Sequence, residues 1–152
     1  MKLISGILIV IIGILTGNLL SEKFCLRKKF FNDFLLFHQT LINETNFSQK
    51  TIKEVLKELD ESSFSKLTYD YFINNVDFPK MNYLKEDEYL FYKEYVSKIG
   101  KMDKNTQLSY LLSCSAQITK YYDNSSNEEK RYKGLYIKLG FLIGLIILVV
   151  IL

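Results

Sequence analysis

The sequence predicts an all-α fold, a membrane-anchored helical bundle, and three observations carry that prediction. Both ends are apolar, Leu3 to Leu20 and Leu139 to Leu152, and every charged residue except Lys2 lies between them. In the intervening chain, apolar residues recur at close to helical spacing, and no segment shows the clean alternation of a strand. The chain has a single proline, Pro79. The expected organisation is a transmembrane helix over 1–20, a cytoplasmic helical-bundle domain over 21–138 and a transmembrane helix over 139–152. The second span is expected to begin near residue 133, and the N-terminal and C-terminal transmembrane helices to continue into the bundle.

Leu3 to Leu20 carries no charge and, as a helix, rises about 27 Å, close to a hydrocarbon core of about 30 Å. The shorter C-terminal run needs Tyr132 to Lys138 as interfacial padding, with the Lys138 amine reaching toward the headgroups. A cleavable signal peptide is the rival reading of the first run. It is disfavoured because no small-x-small cleavage site follows Leu20 and Ser21 to Phe24 reads as helix continuing. Gly13 and Gly17 have the small-xxx-small spacing of paired membrane helices, as do Gly140 and Gly144, although glycine is common in membrane helices generally.

Basic residues close to a span tend to stay on the cytoplasmic side. Lys23, Arg27, Lys28 and Lys29 follow the first span and Lys130, Arg131, Lys133 and Lys138 precede the second, so these eight are the topology determinants. They place 21–138 in the cytoplasm and both termini outside. All but one of the 20 basic residues fall in that loop, against 17 acidic ones. So balanced a charge does not point to nucleic acid, and the basic clusters are accounted for by topology and by membrane lipids with anionic headgroups. Arg27 and Arg131 are the only arginines against 18 lysines, a bias that suggests an AT-rich coding genome.

Within the loop, Phe24, Phe31, Phe34, Leu35, His38, Leu41 and Ile42 form one stripe of a helix that continues the first span to near Asn43, with Lys28, Asn32 and Gln39 opposite. Ser48 is the expected N-cap of a second helix that buries Ile52, Val55, Leu56 and Leu59 and wets Lys53, Glu54, Lys57 and Glu58. Ser62 or Ser63 caps a third, with Phe64, Leu67, Tyr71 and Phe72 inward, ending before Pro79. A fourth is expected over about Tyr83 to Ile99, burying Leu84, Tyr89, Leu90, Tyr92 or Lys93, and Val96. Gly100 fits a helix-terminating position, and Asp103 an N-cap. The last helix carries Leu108, Leu111, Leu112, Ser115, Ile118, Thr119 and Tyr122 on one face and continues into the second span. The low helix propensity of Asp123 to Asn127 leaves open whether the last helix is continuous there or has a kink or frayed turn.

Catalytic candidates are few. The sole histidine, His38, falls on an apolar stripe and reads as packing rather than as a general base. Cys25 and Cys114 are 89 positions apart with no ligand partners at metal spacing, so no metal and no bridge is expected. Glu86, Asp87 and Glu88 are consecutive on a helix, cannot converge, and read as a solvated helix start favoured by the dipole. The 11 phenylalanines and 11 tyrosines read as core, with Tyr132 and Tyr136 in the interfacial belt of a span.

Three stretches carry a family resemblance: Met1 to Gly6 with Gly17 and Arg27; Ile99-Gly100-Lys101-Met102-Asp103 with Gln107; and Tyr132 to Leu152 with Leu139-Gly140 and Gly144. The chain resembles the stage III sporulation protein AB family along nearly its whole length. Met102 replaces the family's usual serine, and Asp123 to Asn127 interrupts a helix that is more charged in the family. The resemblance implies a bundle similar to the cytoplasmic domain of the type II secretion inner-membrane platform protein, with no catalysis and no cofactor. It also implies a scaffold in a secretion-like assembly linking mother cell and forespore, sited in the outer forespore membrane. The implied partners are the motor ATPase and the other membrane subunits of that complex. Platform proteins often form rings or clusters, so a homo-oligomer is compatible with this reading. Gly100, Lys101 and Asp103 are the candidate partner-binding residues, weighed against a pure capping role. Two other readings stand beside it: a tethered platform or adaptor of another type II secretion, pilus or competence system, and a membrane enzyme with its site in the loop, which would need convergent polar groups in a pocket.

Overall fold

The computed structural model describes the backbone of residues 2–47, 50–59, 63–74 and 76–151, and the side chains of 8–46, 50–59, 64–74 and 76–150. The fold is all-α. Among the described residues five helices follow one another: α1 (Lys2–Phe47), α2 (Ile52–Glu58), α3 (Ser63–Asn74), α4 (Glu86–Lys98) and α5 (Lys104–Ile151). Two compact units result, one of residues 1–28 with 125–152 and one of residues 29–124.

The unit of residues 29–124 is organised by aromatic rings. The ring of Phe34 lies 5.4 Å from Phe64, 5.6 Å from Tyr92 and 4.9 Å from Tyr95, and Phe78 closes on Tyr92 at 4.9 Å. Most of these pairs meet edge to face, the arrangement their quadrupoles favour. The expected stripe of α1 is buried at Phe31, Phe34, His38 and Leu41, and Phe30 and Phe37 join it. That burying face is wider than a two-residue seam because α1 is covered by several helices.

Local chemistry sets the helix ends. Thr51 caps α2 in a capping box: Glu54 N–H donates to Thr51 Oγ1 (3.4 Å), and Thr51 N–H donates to Glu54 Oε2 (2.7 Å). The cap is thus not the expected Ser48, which lies outside the described residues, as does Ser62. Glu54 has a structural role that its exposed position conceals. Asp103 caps α5 as expected, its carboxylate accepting from Thr106 N–H at 3.3 Å.

α4 begins later than expected and buries a different face. Tyr92 and Val96 are inside, with Tyr95, Ile99 and Glu88, whereas Leu90 is exposed. The Glu88 carboxylate takes the N3 place of a capping box and accepts from Lys85 N–H at 3.0 Å. The solvated reading therefore holds for Glu86 and Asp87 and fails for Glu88.

Gly100 has φ of +76° after the C-cap Ile99. A side chain there would adopt a left-handed backbone and would meet Ile52 Cδ1 at 2.6 Å. Gly100→Ala is expected to lower unfolding stability by about 1–2 kcal/mol, measured by urea denaturation of the full chain in detergent. An unchanged midpoint would refute this.

α5 is helical without interruption through Asp123 to Asn127, which answers the question the sequence left open there. Low propensity is a weak prior that tertiary contacts override. Ser125 is buried, and the next turn is fastened by ion pairs of Glu128 and Glu129.

Candidate functional site

In the unit of residues 1–28 and 125–152, the apolar parts of α1 and α5 pack antiparallel along a seam of glycines. Gly13 and Gly140 face each other so closely that a Cβ on either would collide with the other's carbonyl oxygen. One on Gly17 would strike the Tyr136 carbonyl, and one on Gly144 would lie 2.8 Å from Val10 Cα. Backbones this close gain dispersion contact that lipid tails cannot supply, which is how helices associate without a hydrophobic drive between them. The two small-xxx-small pairs thus meet one another. Their outward faces, including Leu15, Leu19, Ile143, Ile146 and Val150, are exposed.

Beyond the seam stands a collar of rings and charges. Phe24 stacks on Tyr132 at 4.8 Å and lies 6.0 Å from Tyr136. Arg27, 4% exposed, pairs with Glu128. Lys28 and Lys133 flank Glu129 at 3.3 Å and 3.9 Å, and the half-buried thiol of Cys25 is 3.8 Å from the same carboxylate. Of the eight basic residues that the sequence suggests as topology determinants, Arg27, Lys28 and Lys133 are partnered with carboxylates, while Lys23, Lys29, Lys130, Arg131 and Lys138 are exposed. Spacing alone did not reveal this partnership, because Glu128 and Glu129 are about 100 positions away from Arg27 and Lys28.

Arg27 is buried in its pair with Glu128, which keeps 28% exposure, so removing the guanidinium takes the counter-charge from a partly desolvated carboxylate. Arg27→Ala is expected to cost about 3 kcal/mol, whereas the double change to Arg27→Met and Glu128→Leu should restore most of it, as read from SDS-unfolding midpoints of the full chain. If the double variant is as unstable as the single one, the pair is not what holds the collar.

In the unit of residues 29–124 the polar groups of the core form two relays. The Tyr95 hydroxyl and His38 Nδ1 are 2.9 Å apart, as are His38 Nε2 and Ser115 Oγ, and Ser115 Oγ–H donates to the Leu111 carbonyl at 3.2 Å. With the serine proton committed to Leu111, Nε2–H donates to Ser115 and Nδ1 accepts from Tyr95. Likewise Tyr92 O–H meets Thr68 Oγ1 at 2.9 Å, and Thr68 donates to the Phe64 carbonyl at 2.7 Å. Burial holds the His38 pKa down at about 4 and pushes the Tyr95 hydroxyl well above its ordinary value. The imidazole is neutral near pH 7 and, with both nitrogens engaged and 1% exposure, is placed as a core residue.

His38 lines neither of two surface cavities. One, of about 620 Å³, is bordered by Leu56, Ser65, Tyr69 and Asp70; the other, of about 250 Å³, by Thr45, Lys50, Met102, Lys104 and Gln107. The second adjoins the Gly100–Asp103 turn. There Gly100 N–H donates to Gln107 Oε1 at 3.0 Å and Thr106 Oγ1–H to Asp103 Oδ2 at 2.7 Å, so both residues do capping work. Lys101 is exposed. Among the described residues, no group of three His, Cys, Asp or Glu side chains is placed to hold a metal.

These features define a class: a helical protein with two helices long and apolar enough to cross a membrane, joined to an aromatic-cored unit. A model of the stage III sporulation protein AB family matches residues 68–152, and the chain belongs to that family. The match includes the Gly100–Asp103 turn and the C-terminal apolar run; the first helix lies outside it. No curated protein and no solved structure matches the chain.

Proposed function

We propose that this protein is a non-enzymatic membrane platform subunit of a secretion-like sporulation channel between mother cell and forespore. The observation that carries the reading is the family match over α4, its turn and α5, in a chain whose apolar helices pair along a glycine seam. The pair anchors the protein in the outer forespore membrane, with both termini outside and the aromatic-cored unit in the mother-cell cytoplasm. There the unit docks the motor ATPase and meets the other membrane subunits. Lys101, exposed on the turn, is the proposed point of partner contact beside Gly100 and Asp103. Enclosure of His38 away from both cavities supports a scaffold over an enzyme.

Deletion of the gene in its host, scored by heat-resistant spores and by forespore development after engulfment, tests the reading. A stall after engulfment, rescued by the intact chain, is expected. Full spore yield from the deletion would overturn the sporulation role.

A further inference from the structure

Seven cations stand in the collar, at Lys23, Arg27, Lys28, Lys130, Arg131, Lys133 and Lys138, against Glu22, Glu128 and Glu129. The two glutamates of α5 are committed to Arg27, Lys28 and Lys133. Lys23 and Arg131 are placed differently. The Lys23 ammonium lies 5.0 Å from the centroid of Phe24, and the Arg131 guanidinium 5.5 Å from that of Tyr132. Those two rings are the stacked pair of the collar. Both cations are exposed, and no ion pair forms at either among the described residues.

We propose that Lys23 and Arg131, each held on the outer face of its own ring in the Phe24–Tyr132 pair, each bind the headgroup of an anionic phospholipid. The inference rests on the reading that the apolar pair lies in a bilayer. Tyrosine settles at headgroup depth, with an apolar ring and a wet hydroxyl, and Phe24 stacks on it. A cation drawn onto a ring face loses freedom yet keeps most of its charge unneutralised. The stack therefore holds one positive group from each helix, the two flanking the ring pair on opposite sides, and on the bilayer reading each reaches its own lipid phosphate. Guanidinium adds a planar fork of N–H donors suited to phosphate oxygens. Lys130 and Lys138, exposed without a ring contact of this kind, contribute only to the diffuse potential.

The chain contains no tryptophan, so Tyr132→Trp creates a single reporter that retains a ring under Arg131. The full-length chain would be placed in nanodiscs of phosphatidylcholine with a minor fraction of brominated phosphatidylglycerol or, in parallel, brominated phosphatidylcholine. The site predicts stronger quenching by the brominated anionic lipid, with a preference of about fivefold for each cation engaged. Lys23→Gln with Arg131→Gln should remove most of the preference, leaving the part the diffuse potential supplies, while Lys130→Gln with Lys138→Gln should leave most of it. Equal quenching by both lipids, or equal loss in both double variants, overturns the site. Tyr136→Trp serves as the reporter if Tyr132→Trp does not fold. Protease protection in the same discs separates the two levels: a protected chain with no lipid preference refutes the headgroup site alone, and an unprotected one refutes the membrane reading with it.

Discussion

Gly13→Ala and Gly140→Ala are each expected to destabilise the paired apolar helices by about 1–3 kcal/mol, although alanine is the better helix former by about 1 kcal/mol. The opposition of signs makes the experiment decisive. In an isolated helix the added methyl stiffens the backbone and helps; at this seam it is driven into the facing carbonyl oxygen. A flexible side-chain end would yield, but a main-chain carbonyl fixed within its own helix does not. The helices must move apart, and dispersion, falling steeply with distance, is lost along the seam. Gly134 is the internal control. A Cβ there meets nothing within 4 Å, so Gly134→Ala should be neutral or slightly stabilising. The readout is the midpoint of SDS-induced unfolding of the full chain in micelles, followed by circular dichroism. Equal behaviour at all three positions would show that the seam does not hold the pair.

His38→Ala is the second large effect, about 3 kcal/mol. Truncation opens a cavity in the aromatic core and removes the acceptor of the Tyr95 hydroxyl and the donor to Ser115. His38→Gln keeps polar atoms at similar reach and should cost less. The same residue sets a pH dependence. Its folded pKa is about 4 against an ordinary 6.5, so between those values the unfolded chain binds a proton that the folded chain refuses. The histidine contribution to stability is complete above pH 6.5, erodes as pH falls toward 4, and is lost below that, amounting to about 3 kcal/mol. Denaturant midpoints measured from pH 7.5 to 4 should fall for the native chain and fall less for His38→Gln. NMR titration of the His38 ring protons gives the folded pKa directly; a value near 6.5 would refute the account.

Several elements were legible because their physics is local. Gly100 terminates α4 and Asp103 opens α5 where the residues suggest, since a left-handed turn and an N-cap depend on a few neighbouring atoms. The stripe Phe31, Phe34, His38 and Leu41 was readable from helical period alone. Other features were not. Leu90, expected inside, is exposed, and Tyr95, not singled out on that helix, is buried, because a ring with a hydroxyl can fill the core and still satisfy His38. Glu88 could be recognised as buried only once its capping of Lys85 was seen. Ser48 and Thr51 are equivalent candidates by type, and Glu54 three positions on is the signal that favours Thr51.

By itself, then, the sequence determined the all-α class, the two apolar helices and the turn between α4 and α5, and its motifs pointed to the family, because period, length and capping act over a few residues. Only the tertiary structure decided that Gly13 meets Gly140, that Glu128 neutralises Arg27, and that His38 is locked between Tyr95 and Ser115. Each of these joins residues 57 to about 127 positions apart, and contacts at such separations depend on how whole helices are laid against one another, which no local pattern encodes.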